Sequence, residues 1–251
     1  MKKWAFALCL ALALPATAQA QRMIVYGNSY SSPGTVKWPA QMLAAGDIAS
    51  VYNLGVGGST AGSFSSNNFA QQVAKRPAAR AEDITVVFHG QNDCTWAGIA
   101  PDKFPGVERV GADVRAQLSR LVASGFTSAG RRLYVVLGFD WAKVPRYATG
   151  DATYARTRVH NCVLGINSQL RTAAAAYGAR VIDAYAPMEC VFQRPAAFGF
   201  TNVTRAGGTG YLFADRYHMT RAGQALLRQI IRYNLRKGPG TPAQIFPGKG
   251  C

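Results

Sequence analysis

The chain has 251 residues, 49% of them hydrophobic, and 28 Lys and Arg against 12 Asp and Glu give it a formal charge of +16. That apolar content is enough for a packed core and excludes a disordered polyelectrolyte. The basic residues are scattered from Lys37 to Lys249 without a block, and no nucleic-acid motif accompanies them, so nucleic acid is not an expected partner. Such a charge favours an anionic surface, phospholipid or acidic polysaccharide, but with the basic residues so scattered the plainer reading, a soluble basic surface, comes first.

The first segment reads as an export signal. Met1-Lys-Lys precedes an apolar run from Trp4 to Leu14, and Ala16-Thr-Ala-Gln-Ala20 then supplies small residues at the recognition positions. The run is short for a bilayer span, and the large Leu8 before Cys9 argues against lipid attachment. The expectation is a signal peptide over residues 1–20, cleaved after about Ala20, and a secreted or periplasmic mature chain without a transmembrane segment. Loss of Lys2 and Lys3 takes +16 to +14, so the mature chain stays basic.

Strand-like runs follow at Met23 to Tyr26, Ser50 to Leu54, Ile84 to Phe88, Leu133 to Leu137 and Arg180 to Asp183. Each ends in a Gly, Asn or Asp cluster, and helical spacing follows. Helices are predicted from Val107 to Ala123, from about Thr153 to Tyr177, and from Thr220 to Arg236 with Thr220 as N-cap. In the longest, Val159, Cys162, Val163, Ile166, Leu170, Ala174 and Tyr177 share one face. Alternating strands and helices predict an α/β fold, a parallel sheet with helices on both faces, whose ligands collect at the carboxyl ends of the strands. Residues 21–237 read as one domain and 238–251 as an irregular Gly- and Pro-containing arm.

Excluding Cys9, four cysteines remain: Cys94, Cys162, Cys190 and Cys251. An even number in an exported chain predicts two disulfides, with three pairings open. Their spacing is too wide for a C-x-x-C redox or zinc motif, so neither metal nor another cofactor is expected.

The clusters that carry chemistry each follow a strand. Gly27-Asn28-Ser29 exposes a hydroxyl at a tight turn, although a lone turn serine is usually only that. Asn53-Leu-Gly-Val-Gly-Gly-Ser-Thr-Ala-Gly62 lacks the third glycine of a dinucleotide fingerprint, and the chain has no P-loop; it reads as a flexible loop whose amides approach a substrate oxygen. In His89-Gly90-Gln91-Asn92-Asp93-Cys94 a side-chain amide can donate to a developing oxyanion, with a turn-forming Asn as the plainer reading. Of the three histidines, His89 ends a buried strand and His160 lies on the polar flank of a helix, which makes it a surface residue. His218 has Asp215 three residues before it, a base with its orienting carboxylate.

In order, Gly-Asn-Ser, Asn-x-Gly-x-Gly-Gly, Gly-Gln-Asn-Asp and Asp-Arg-Tyr-His resemble the four sequence blocks of the GDSL or SGNH hydrolase family. Ala197-Phe-Gly-Phe-Thr-Asn-Val-Thr204 and the Leu-Phe-Ala-Asp-Arg-Tyr-His-Met-Thr run resemble its secreted bacterial lipase and esterase branch. The resemblance implies a three-layer α/β/α sandwich around a mainly parallel five-stranded sheet, a flavodoxin-like SGNH fold without a metal. It makes Ser29 the nucleophile, His218 the base and Asp215 the orienting acid. The oxyanion hole would be formed by the Ser29 and Gly58 amides and the Asn92 side chain. Asn28 departs from the family Asp, and Met219 stands where proline is common.

The resulting expectation is a secreted serine esterase or lipase, acting on lipid, phospholipid or lysophospholipid esters at an anionic lipid surface. The same triad would also serve an acyltransferase or a deacetylase of lipid or glycan. A binding protein for anionic lipid or glycan, with the fold as scaffold only, is the rival from another class. Tyr30, Trp38, Trp96, Phe139, Trp141 and Phe198 are candidates for an acyl groove.

Overall fold

The computed structural model describes residues 21–128, 130–140, 152–204, 210–214 and 217–251. The expected signal peptide over 1–20, Trp141 and Asp215 lie outside the described residues. In chain order the elements are β1 (Arg22–Gly27), α1 (Trp38–Ala44), β2 (Ser50–Asn53), α2 (Phe69–Ala74), β3 (Ile84–Phe88), α3 (Gln91–Ile99), α4 (Val107–Ala123), β4 (Arg132–Leu137), α5 (Ala152–Ala176), β5 (Arg180–Asp183), α6 (Tyr185–Gln193), β6 (Asn202–Thr204), β7 (Tyr211–Phe213), α7 (Arg221–Lys237) and α8 (Pro242–Ile245).

Five strands pair in parallel in the order β2-β1-β3-β4-β5. Right-handed crossovers then put α1 and α7 on one face, where they pack together, and α2, α3, α4 and α5 on the other. The burial of the strands explains their sequences. Central β1, β3 and β4 are covered on both faces, so they read as continuous apolar runs, while edge strands β2 and β5 alternate with exposed positions. The face predicted for α5 is buried at Val159, Cys162, Val163, Ile166, Leu170 and Ala174 and half-buried at Tyr177.

Strand order reverses between β1 and β3, which opens a crevice beyond their carboxyl ends. The register aligns Gly27 with Phe88, so Ser29 and the Gly90-Gln91-Asn92 turn leave the sheet at the same level.

Two disulfides close, Cys94 to Cys162 and Cys190 to Cys251. The first ties α3 to α5, and the second fastens the C-terminus to α6. The tail carries one helical turn, α8, with a capping box between Thr241 and Gln244, and its Phe246 packs edge-on against Phe198 at 5.0 Å. A single four-residue turn is too short to show periodicity in sequence. Among the described residues no helix is long and apolar enough to cross a membrane.

Candidate active site

At the carboxyl edge of the sheet an open cleft of about 280 Å³ is lined by Ser29, Tyr30, Gly58, Gln91, Asn92, Thr95, Tyr217 and His218. Four segments that are distant in sequence meet there, and the fold brings together Ser29, Gly58, Asn92 and His218 from the motif reading.

Ser29 sits on a tight turn after β1. The Asn28 carbonyl accepts from the Ser31 amide at 3.0 Å and the Ser32 amide at 2.9 Å, which curls the chain at once. Gly27 permits this, because a Cβ there would lie 2.7 Å from Ser31 Oγ and 2.9 Å from the Phe88 carbonyl oxygen. Asn28 is fully buried; its Oδ1 accepts from the Tyr30 amide at 3.0 Å and its Nδ2 donates to Gln91 Oε1 at 2.7 Å. An amide therefore fills both roles, and no formal charge is buried beside Ser29 at this position.

The glycine-rich loop, expected to be flexible, is pinned. The Val56 amide donates to the Gly27 carbonyl at 2.9 Å, and Asn53 Nδ2 donates to the Ser31 carbonyl at 2.7 Å. A Cβ on Gly55 would meet the Ser31 backbone at 2.9 Å, so this close approach requires glycine. Gly58, at φ +73°, is exposed and lines the cleft. Among the described residues neither the Ser29 nor the Gly58 amide is engaged by another acceptor.

Helix α3 begins one residue before Asn92, with Gly90 as its N-cap, so the positive end of the helix faces the cleft. Asn92 Nδ2 gives one hydrogen to the Ser59 carbonyl at 2.8 Å, which fixes the amide plane and leaves its second hydrogen for the cleft. His218 lies on a loop closed by the Ala214 amide donating to its carbonyl at 2.8 Å. Thr220 caps α7 by accepting from the Gly223 amide, while its hydroxyl donates to the Tyr211 carbonyl at 2.8 Å. Met219, at the position where proline is common, is buried and bridges to Phe213, so it anchors this loop.

Sequence reasoning missed Gln72, the buried hub of the site. Its Oε1 accepts from the Gly27 amide at 2.9 Å and faces His89 Nε2 at 3.1 Å; its Nε2 donates to the Gly27 carbonyl and to Ser59 Oγ, each at 2.9 Å. One carboxamide thus links the ends of β1 and β3 to the glycine loop. It comes from the six-residue α2, and nothing in a short apolar stretch marks it.

His89 is buried, which lowers its imidazole to about 3, so it stays neutral and packs against Phe69. It does not line the cleft. His160, read as a plain surface residue, is 38% exposed and pairs through Nδ1 with fully buried Asp140 at 2.5 Å. The pairing joins the segment after β4 to α5, which a helical wheel does not show. Of the candidate groove residues, Tyr30 lines the cleft, whereas Trp38 and Phe139 are core and Phe198 packs under the tail.

Asp93 is buried behind the site, where its carboxylate accepts from the Ala61 amide at 2.8 Å and the Gly62 amide at 2.9 Å. Burial pushes its pKa up to about 6 from 3.8, and the two amides hold the rise back. Because the folded value lies above the unfolded one, this group's contribution to stability is full below about pH 4 and is lost as pH rises through about 6. Between these limits the wild type is expected to lose up to about 3 kcal/mol relative to Asp93→Asn. Paired denaturant titrations at pH 4 and pH 7 check this, and an unchanged difference would contradict the desolvation of Asp93.

The sequence profile of the GDSL-like Lipase/Acylhydrolase family matches residues 24–226. No curated protein matches the chain. Similar solved structures include a member of the lipolytic protein G-D-S-L family from Veillonella parvula, with a TM-score of 0.56 and 15% identity over 87% of this chain and 98% of that one. Phospholipase A1 from Streptomyces albidoflavus has a TM-score of 0.56 and 17% identity over 86% and 99%. An acetylxylan esterase from Geobacillus stearothermophilus has a TM-score of 0.56 and 14% identity over 86% and 94%. At these identities the likeness concerns the fold.

Proposed function

As the chain belongs to the GDSL-like lipase/acylhydrolase family and is a carboxylic ester hydrolase, we propose that it is exported and acts through an acyl-enzyme formed on Ser29. The observation that carries this reading is the single cleft shared by Ser29, Gly58, Asn92 and His218. Ser29 Oγ attacks the ester carbonyl carbon as the His218 imidazole takes its proton. The tetrahedral oxyanion accepts from the Ser29 and Gly58 amides and from Asn92 Nδ2. The C–O bond to the alcohol then breaks, and the imidazolium returns the proton to the leaving oxygen. Water repeats the sequence on the acyl-enzyme and releases the acid. Asp215, from the motif, orients the imidazole.

Export is supported by the leader pattern of residues 1–20 and by two disulfides, which persist in oxidising compartments. The charge of +14 left after loss of Lys2 and Lys3 supports ester substrates presented at an anionic lipid surface, with phospholipid and lysophospholipid as the first class to test. The fold neighbours act on unlike substrates, a phospholipid and an acetylated xylan by their names, so the substrate has to be found by assay.

An organophosphonate is expected to label one residue per chain, on the peptide containing Ser29, with activity falling in proportion to label. Full activity after complete labelling would refute the reading. A panel of esters varying in acyl length and head group, with an added alcohol acceptor, then separates hydrolysis from acyl transfer by product.

A further inference from the structure

The residue after the proposed nucleophile is a tyrosine, and its hydroxyl reaches the far end of the chain. Tyr30 is 4% exposed, and its ring is held edge-to-face by Phe139 at 5.2 Å and tilted on Phe88 at 6.0 Å. Its hydroxyl donates to the carbonyl oxygen of Tyr217 at 2.5 Å, a bond spanning 187 positions. Tyr217 immediately precedes His218. One hydrogen bond therefore joins the turn that carries Ser29 to the loop that carries His218, one residue away from each.

The bonds from Ala214 and Thr220 fasten that loop to β7, its own neighbour in sequence. The Tyr30 bond differs, because it fixes the loop relative to the nucleophile. Its ring is held from both sides, by Phe88 at the end of β3 and by buried Phe139 just beyond β4, so the hydroxyl is kept where it holds the Tyr217 carbonyl. Proton transfer between serine and imidazole depends steeply on their separation, and a misplacement of about 1 Å can cost a hundredfold in rate.

We propose that Tyr30 is a positioning residue that sets the distance and angle between Ser29 and His218 through the Tyr217 backbone. It acts with its ring packed in the core and its hydroxyl at the cleft edge, and it does not exchange a proton with substrate. The proposal rests on the reading of Ser29 as nucleophile and His218 as base.

Tyr30→Phe keeps the ring and removes the bond, and Tyr30→Leu removes the ring too. For Tyr30→Phe the expected result is a fall in kcat of about tenfold with KM within twofold, and an equal fall in the rate of phosphonate labelling of Ser29. The chain has three histidines, so the imidazole NMR spectrum resolves three rings, with His218 assigned by its alanine variant. In Tyr30→Phe the His218 signals are expected to move while those of His89 and His160 stay. Wild-type kcat in Tyr30→Phe, with loss only in Tyr30→Leu, would assign the effect to packing and overturn the proposal. So would a Tyr30→Phe chain that fails to fold. The parent reading is tested separately: if Ser29→Ala retained activity, the site assignment would fall, whereas an inactive Ser29→Ala beside a fully active Tyr30→Phe would sink the positioning role alone.

Discussion

Replacing Ser29 by alanine is expected to lower kcat for ester hydrolysis by about 10⁴- to 10⁶-fold and to leave the fold intact. The side chain is small and half-buried, and the tight turn it occupies is made by backbone bonds to the Asn28 carbonyl, which alanine preserves. The Ser29 amide also survives the change, so the proposed oxyanion donors remain. What disappears is the oxygen proposed to form the acyl-enzyme, and in triad hydrolases removal of the nucleophile alone costs about as much as removal of the whole triad. Steady-state hydrolysis of a chromogenic ester measures the loss, and thermal unfolding of the same preparation shows that the chain is folded. Turnover within tenfold of wild type would exclude Ser29 as the nucleophile.

The second large effect is expected at Asn92. Asn92→Ala should reduce kcat by about 100- to 1,000-fold with little change in KM, the usual cost of one oxyanion donor. The alternative is that Asn92 matters only as the strut to the Ser59 carbonyl at 2.8 Å. A lost strut of that kind costs about 1 kcal/mol of stability and loosens the glycine loop, which would raise KM along with any fall in kcat. Asn92→Asp separates the two further. It keeps the shape but opposes an oxyanion with a carboxylate, and its kcat should fall below that of Asn92→Ala. Equal kcat in the two variants would argue that no negative charge develops near this side chain.

Much of the fold is legible in the sequence for a reason visible in the burial of its strands. β1, β3 and β4 are covered on both faces, so their apolar runs are continuous and bounded by Gly, Asn and Asp. α4, α5 and α7 are long enough for one face to repeat. The helices that escaped notice, α1, α2, α3 and α6, have six to nine residues, about two turns, in which a helical period cannot be told from chance. β6 and β7 are three residues each.

The site divides in the same way. Ser29, Gly58, Asn92 and His218 could be named because each sits in one of the four short blocks that together resemble those of the GDSL or SGNH hydrolase family. Gln72, the role of Asn53 and the Tyr30 to Tyr217 bond could not, because they work by meeting partners across 13 to 187 positions. A carboxamide on a two-turn helix has no local signature. The disulfide partners were open for the same reason: four cysteines allow three pairings, and only the packing of α3 on α5 selects Cys94 with Cys162.

The bond from Tyr30 to Tyr217 also carries a statement about time. The hydrogen bond that joins the two halves of the proposed reaction centre spans 187 positions, and the half that follows β1 is made long before the half that precedes α7. Contacts of such long range form late in folding, because the intervening loop must first be closed. An incomplete chain, or a fragment cut anywhere between the two, holds a serine without its base or a base without its serine. Hydrolytic activity is thus expected to arrive in one step, when both segments and the sheet between them have been made and folded, and a single break in the intervening backbone that lets the halves part is expected to remove it.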